Sequence, residues 1–376
     1  MRLGIKSIVA DDSYIMQLFG ARGLCQNVPV SWQPEIDEIR RREAIAREMG
    51  GAANVERQHA AGRLTVRERI DRLLDPGSFH EIGALAGRAE YDESGQLASF
   101  TPSNFIAGTG RIDGRQVAIG GDDFTVRGGA ADAAIGNKME RSEKLARGLR
   151  VPMVRLVDGT GGGGSVKTIE HIGRTYVPAN PAWDTITAML GEVPVVGACL
   201  GPVAGLGAVR VVTSHFSLMV RGSSQLFVAG PPVVERGVGE KLSKEQLGGH
   251  EIHARGSGAV DNEVASEDEA FVAIRRFLSY LPSSVWEAPP RVASSDDPDR
   301  REEDLISIIR AIGAGPTMYA AFSRPCSTLI RFSNWVTTMD VRWYRGSRDL
   351  LDIPSASSPT IRVTAVARRI PRHATR

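Results

Sequence analysis

Two glycine-dense stretches hold the residues of this sequence best suited to chemistry. The first runs Val157-Asp158-Gly159-Thr160-Gly161-Gly162-Gly163-Gly164-Ser165-Val166-Lys167-Thr168, the second Gly201-Pro202-Val203-Ala204-Gly205-Leu206-Gly207-Ala208. Without a Cβ the backbone turns sharply, and an anionic group can approach its N–H donors. Three anions come into question. Gly159-x-Gly161-x-x-Gly164 has the spacing of a dinucleotide fingerprint, which also needs an acidic residue about 20 positions on, ending a second strand. Asp184 has that distance, yet Pro181-Ala182-Trp183-Asp184-Thr185 reads as a helix start. Gly161 followed by Val166-Lys167-Thr168 approaches a phosphate loop, but Val166 stands where the second glycine is needed. The third reading is an oxyanion hole. Backbone N–H groups from both tracts, backed by helix N-termini, would stabilise an enolate or thioester oxyanion without any acid, base or nucleophile side chain. The sequence has no Gly-x-Ser-x-Gly elbow and no His-x-x-x-His pair, which fits that reading. The plain alternative is a pair of close-packing turns, weakened because both tracts occupy the same relative position.

That position is set by the elements around them. Val151 to Val157 is a short, Val-rich run that predicts a buried strand before the first tract. About forty residues later Val193-Pro194-Val195-Val196 leads into the second. Ser217 to Val220 and Leu226 to Val228 form a third layer, ending at Ala229-Gly230-Pro231-Pro232 before a short helix. Strand, glycine turn and helix in repetition predict an α/β fold with its turns gathered at one edge. Val193 to Val209 carries no charge, but its prolines and glycines and the following Arg210 mark a buried strand and turn, not a membrane span. Upstream, helices are predicted from Pro34 to Met49 and from Thr65, whose spacing to Glu68 is that of a capping box. Asp113-Gly114 predicts a type I′ hairpin between Gly110-Arg111-Ile112 and Gln116 to Ile119. Further helices are predicted over Met139 to Leu149 and Glu267 to Tyr280, the latter with Ala270, Ile274, Phe277 and Leu278 inward.

Composition narrows the class. Lys plus Arg is 46 against 44 for Asp plus Glu, so net charge offers nothing to nucleic acid or a membrane surface. Cys25, Cys199 and Cys326 are widely spaced, form no C-x-x-C pair and suggest no metal site; they read as reduced thiols of a cytoplasmic protein. Residues 1–30 read as an atypical extension, not a signal peptide, and 31–290 as one domain. Residues 291–310 read as a polar linker. Residues 311–376 hold ten arginines and three aspartates but no glutamate or lysine, and are expected to be an atypical tail, out of frame or disordered.

A series of motifs then runs in order along the chain: Arg67-Glu68-Arg69-Ile70, Leu74-Asp75-Pro76-Gly77-Ser78-Phe79, Gly108-x-Gly110-x-Ile112-x-Gly114, and Asp122-Asp123-Phe124-Thr125-Val126-Arg127-Gly128-Gly129. Met219-Val220-Arg221-Gly222, Phe227-x-x-Gly230-Pro231, Leu247-Gly248-Gly249-x-x-x-His253 and Phe277-Leu278-Ser279-Tyr280-Leu281-Pro282 follow. From about Trp32 to about Ile309 the sequence resembles the carboxyltransferase (β) subunit of biotin-dependent acyl-CoA carboxylases, the propionyl-, acetyl- and methylcrotonoyl-CoA carboxylase group.

The resemblance implies a crotonase-like fold of repeated ββα units. It implies a carboxyl group carried as carboxybiotin on a biotin carboxylase/biotin carrier (α) partner and transferred to the α-carbon of an acyl-CoA, within a homo-oligomer. It places Gly205, Leu206 and Gly207 at the enolate-holding backbone donors, and Gly161, Gly162, Gly163 and Gly164 at a neighbouring turn that shapes the CoA pocket. Lys138, Arg210 and Arg221 become candidate contacts for CoA phosphates, and His250 and His253 are expected to be structural. The sequence departs from the family where Leu206 separates Gly205 from Gly207, which leaves the donor register open, and where Ser165 follows four glycines. The resemblance also implies a second domain bearing the biotin side of the site, in the place of the tail. Two expectations follow: a carboxyltransferase subunit, or an acyl-CoA-binding remnant or assembly subunit lacking that side. A nucleotide-binding protein is a third.

Overall fold

The computed structural model describes residues 31–130, 138–159, 170, 173 and 182–290. Gly161 to Gly164, the N-terminal extension, the linker and the tail lie outside the described residues. Among the described residues three helices come first: α1 (Gln33–Arg47), α2 (Ala52–Ala60) and α3 (Val66–Leu73). Thr65 caps α3 as its spacing predicts. Its hydroxyl accepts the Glu68 N–H at 3.3 Å, and Glu68 Oε2 accepts the Thr65 N–H at 2.7 Å.

Strand β1 (His80–Glu81) is followed by an antiparallel hairpin of β2 (Gly87–Tyr91) and β3 (Leu97–Pro102), which the sequence reading did not anticipate. A second hairpin joins β4 (Phe105–Ile112) to β5 (Arg115–Asp122). At its tip Asp113 and Gly114 have φ of 50° and 77°, the two positive values a type I′ turn requires. The Asp75 carboxylate accepts both turn N–H groups, at 3.0 and 2.8 Å.

The chain then winds through α4 (Lys138–Leu149), β6 (Met153–Val157), α5 (Trp183–Met189), β7 (Val195–Cys199), β8 (Pro202–Ala204) and α6 (Leu206–Val212). It continues through β9 (Phe216–Val220), β10 (Gln225–Phe227), α7 (Pro231–Val238), α8 (Lys244–Gly248), β11 (Asn262–Val264) and α9 (Glu267–Ser279). Among the described residues seven strands form the main sheet, in the order β1-β4-β5-β6-β7-β9-β11, parallel from β5 onward. β8 and β10 leave that sheet and pair in parallel with each other. The units β7-β8-α6 and β9-β10-α7 are thus two ββα repeats of a crotonase-like fold. Leu226 and Phe227 are strand residues as read, but of this smaller sheet.

Because β6, β7 and β9 are covered on both faces, every residue in them is buried, hence their near-continuous apolar runs. α3 and α9 pack one face, where Phe216 and Phe277 stack with ring centroids 4.8 Å apart. Arg155 in β6 is the charged exception to the apolar rule. It is fully buried and forks onto Glu143 of α4, both contacts at 2.9 Å.

His215, just before β9, is locked in the neutral form. Its Nδ1 accepts the Val195 N–H at 3.0 Å while its Nε2 faces the Leu190 carbonyl at 2.9 Å. Burial chiefly, with the Arg155 charge, lowers its pKa from the ordinary 6.5, against the opposing hydrogen bond to Leu190. The folded chain therefore binds fewer protons here than the unfolded chain. The stabilisation is complete above the unfolded pKa and is lost as pH falls through 6.5 toward the folded value. Urea midpoints measured between pH 7.5 and 5.5 should fall for the native chain, and His215→Gln should flatten that slope.

Candidate functional site

Parallel strands place their C-terminal ends on one edge, and the described part of the candidate site is built there. β5 ends at Asp122, β6 runs into Asp158-Gly159, and β7 runs into Leu200-Gly201. Behind this edge lies a buried ionic network that sequence reasoning missed. Arg69 of α3, 1% exposed, spends its whole guanidinium. Nε and Nη2 fork onto Glu267 at 2.7 and 2.9 Å, Nη1 reaches Asp158 at 2.8 Å, and Nη2 also donates to the Leu200 carbonyl at 3.0 Å. Asp158 further accepts from Gln58 and Arg63, each at 3.2 Å. Burial alone would lower the Arg69 pKa, but Asp158 and Glu267 reverse that and raise it. The only sequence signal was the Arg67-Glu68-Arg69 motif, because the partners lie far along the chain.

Gly201 is glycine because this network passes through the space of its side chain: a Cβ there would stand 2.1 Å from Asp158 Oδ1 and 2.7 Å from Arg63 Nη1. In front of the network the smaller sheet shapes an elbow. Ala204 N–H donates to the Gly159 carbonyl at 3.1 Å, and Gly205 N–H to the Phe227 carbonyl at 3.0 Å. Gly205 has φ 60° and ψ −126°, a conformation that favours glycine, and turns the chain from β8 into α6. Among the described residues, no backbone carbonyl accepts from the N–H of Leu206, Gly207 or Ala208, the first turn of that helix. The expectation for Gly205 therefore needs correction. Its N–H is consumed by Phe227, so Gly205 is the hinge and the available donors begin at Leu206. Gly207 is held close to its neighbours, since a Cβ would lie 2.8 Å from Val203 Cγ1.

The three cationic candidates part company. Arg210 is buried, 3.4 Å from Asp122 Oδ1, so its guanidinium is not on the surface where a CoA phosphate contact would need it. Burial raises the Asp122 pKa, Arg210 notwithstanding. Lys138 is also largely buried, with Nζ 3.8 Å from Glu81, and burial lowers its pKa. Arg221 stands at the end of β9 with its side chain 46% exposed and only a 3.8 Å approach to Glu263. His253 faces the Leu226 carbonyl at 2.8 Å and His250 faces Glu245 at 2.8 Å, contacts in keeping with structural roles. Asp184 is exposed in the first turn of α5 instead of ending a strand, which removes the acidic residue a dinucleotide site needs. Among the described residues no cluster of three His, Cys, Asp or Glu is arranged to hold a metal. No described helix is long and apolar enough to cross a membrane.

Residues 57–314 match the family described as the carboxyl transferase domain. The chain belongs to that family. Family members similar to it include the carboxyltransferase subunit of propionyl-CoA carboxylase from Haloferax mediterranei, 31% identical over 282 residues, covering 74% of this chain and 53% of that protein. The alpha subunit of methylmalonyl-CoA decarboxylase from Veillonella parvula is 30% identical over 279 residues, with the same coverage of 74% and 53%. The chain thus spans about half the length of the curated relatives it matches. The crystal structure of transcarboxylase 12S, a hexamer with methylmalonyl-coenzyme A and methylmalonic acid bound, superposes with a TM-score of 0.61 at 26% identity, over 74% of this chain and 54% of that one. A single-chain, multi-domain long-chain acyl-CoA carboxylase gives 0.54 at 27%, over 66% and 25%. These two solved structures share the fold of this chain.

If the Arg69 network holds that edge together, Arg69→Met leaves the buried Glu267 without its cation and Asp158 with Arg63 alone. Removal of one partner from such a set costs about 3–5 kcal/mol. Urea denaturation should show a loss of that size, whereas Arg72→Met, on the same helix but paired with Asp268 at the exposed surface, should change stability by under about 1 kcal/mol.

Proposed function

We propose that this chain binds an acyl-CoA thioester and holds its enolate during carboxyl transfer from carboxybiotin on a partner subunit. The observation that carries the reading is the α6 elbow. Leu206 and Gly207 present backbone N–H groups without carbonyl partners among the described residues, at the edge of a carboxyl transferase fold. Deprotonation beside a thioester puts negative charge on the carbonyl oxygen, and fixed donors there lower the barrier without reorganising during the reaction. Biotin on the partner subunit would supply the carboxyl unit and a base for the α-proton. The protein side therefore needs orientation and donors more than a titrating side chain, which accounts for an elbow without an obvious acid or base.

Among the candidates for the CoA phosphates, Arg221 has the accessible guanidinium. Gly161 to Gly164 follow Asp158-Gly159 after Thr160 and are proposed to form the neighbouring wall of the CoA pocket. Propionyl-CoA and methylmalonyl-CoA are the first substrates to test, since relatives are named for them. A biotin-carrying partner and a homo-oligomer, as in the hexameric neighbour, belong to the same reading.

Leu206 gives a clean test because it is the first residue of α6, where proline is tolerated and simply deletes an N–H. Gly205, the mirror image of an extended residue, can precede a proline. Carboxyl transfer from carboxybiotin to propionyl-CoA, assayed with the chain and a biotin-carrying subunit, should fall by about 10²–10³-fold in Leu206→Pro. Leu206→Ala should retain it. Equal rates in both variants would remove Leu206 from the donor set. Thioester binding without any transfer would favour the acyl-CoA-binding reading, and tight ATP or NAD binding without thioester binding would revive a nucleotide site.

A further inference from the structure

Arg210 sits inside the fold with half of its guanidinium unused. Its side chain is 3% exposed, Nη1 lies 3.4 Å from Asp122 Oδ1, and the guanidinium carbon is 5.4 Å from the centroid of the Phe105 ring. Among the described residues, neither Nε nor Nη2 has a hydrogen-bond partner. A charged donor taken out of water without an acceptor is costly, and two on one side chain mark a place where an acceptor belongs.

The identity of the free pair is informative. Nε and Nη2 form the side-on fork of a guanidinium, which matches the two oxygens of a carboxylate. Among the described residues, both other deeply buried arginines use that same fork on a carboxylate: Arg69 on Glu267 at 2.7 and 2.9 Å, and Arg155 on Glu143 with both contacts at 2.9 Å. Only in Arg210 is the fork unengaged among these three buried arginines.

Its location points to the acceptor. Arg210 follows Gly207 by three residues and Leu206 by four, so it shares their face of α6, and helical side chains lean back toward the N-terminus. The two ends of that face meet the same part of the sheet. A Cβ on Gly207 would come within 3.6 Å of Val157, and the next residue, Asp158, donates its N–H at 3.2 Å to the Asp122 carboxylate that Arg210 touches. One helical turn, roughly 5 Å, separates the donors from Arg210 along the axis. In a malonyl-type thioester the carboxylate is borne by the carbon next to the thioester carbonyl. With the carbonyl oxygen on the Leu206 and Gly207 donors, that carboxylate comes within reach of the fork.

We propose that Arg210 recognises the carboxylate of a malonyl-type acyl-CoA and sets the preference for carboxylated over uncarboxylated thioesters. The inference rests on the reading of the α6 elbow as the thioester-carbonyl site. Asp122 is its built-in competitor, since it holds Nη1 at 3.4 Å.

The test is calorimetric titration of the full chain with methylmalonyl-CoA and with propionyl-CoA, reading the ratio of the two dissociation constants. The native chain should favour methylmalonyl-CoA by about tenfold or more, the scale of a charge-assisted pair. Arg210→Met should bring the ratio close to one, Arg210→Lys should lower it by losing the fork, and Asp122→Asn should raise it. The ratio cancels a general loss of folding, and the lysine variant serves where methionine destabilises the core. An unchanged ratio in the arginine variants, or equal weakening of both ligands, overturns the proposal. Failure of the native chain to bind either thioester overturns the elbow reading itself, a different result.

Discussion

The strand edge depends on one buried guanidinium. Arg69 reaches α9 through Glu267, the end of β6 through Asp158 and the end of β7 through the Leu200 carbonyl. Gln58 of α2 and Arg63 join it on Asp158. Burying charge is expensive, and hydrophobic residues of similar volume often stabilise a core as well or better. An ionic core does offer direction, since each bond of the fork fixes one element relative to another. That is what the proposed site of backbone donors would need, because such donors cannot rotate into place as a side chain can.

The rest of the site is arranged around that fixed edge. Gly201 yields its side-chain space to Asp158 and Arg63. Gly159, directly after Asp158, accepts the Ala204 N–H, and the Phe227 carbonyl takes the Gly205 N–H. The chain therefore enters α6 already hydrogen-bonded on both sides, and the first free donors appear one residue later than glycine content alone suggests. The same constraint explains why Leu206 can stand between two glycines. A donor N–H does not require a glycine at its own position, only at the hinge before it, where φ is 60°.

Much of this was legible in the sequence, and the remainder has a common cause. Local signals held: the capping box at Thr65, the Asp113-Gly114 turn, the buried runs of β6 and β7, and α9 with its inward Ala270, Ile274, Phe277 and Leu278. The β2–β3 hairpin went unread because it is largely exposed and has only a weak alternating pattern. α2 went unread because Gly50-Gly51 looks like a stop and its residues, mostly partly or fully exposed, carry no strong apolar stripe. The ionic network joins residues 89 and 198 positions apart, so no local pattern announces it. Arg210 and Gly205 belong to the same class. Their types suggested a phosphate contact and a donor, but burial and the Phe227 bond are tertiary facts.

The family relationship adds a last step. Relatives of similar identity are named both as a propionyl-CoA carboxylase subunit and as a methylmalonyl-CoA decarboxylase subunit, opposite directions across the same acyl pair. A donor site that steadies the enolate serves either direction equally, because the enolate lies between the two thioesters. Net direction is set by concentrations and by the coupled reaction. A residue of the site can change only which thioester is held more tightly, and a carboxylate is the whole of the difference between them. A buried cation with a free carboxylate fork, one turn from the donors and balanced by a neighbouring Asp122, is the kind of group that can weight one side. On the proposed reading, the elbow makes the reaction possible and the Arg210–Asp122 pair governs which thioester the protein holds more tightly.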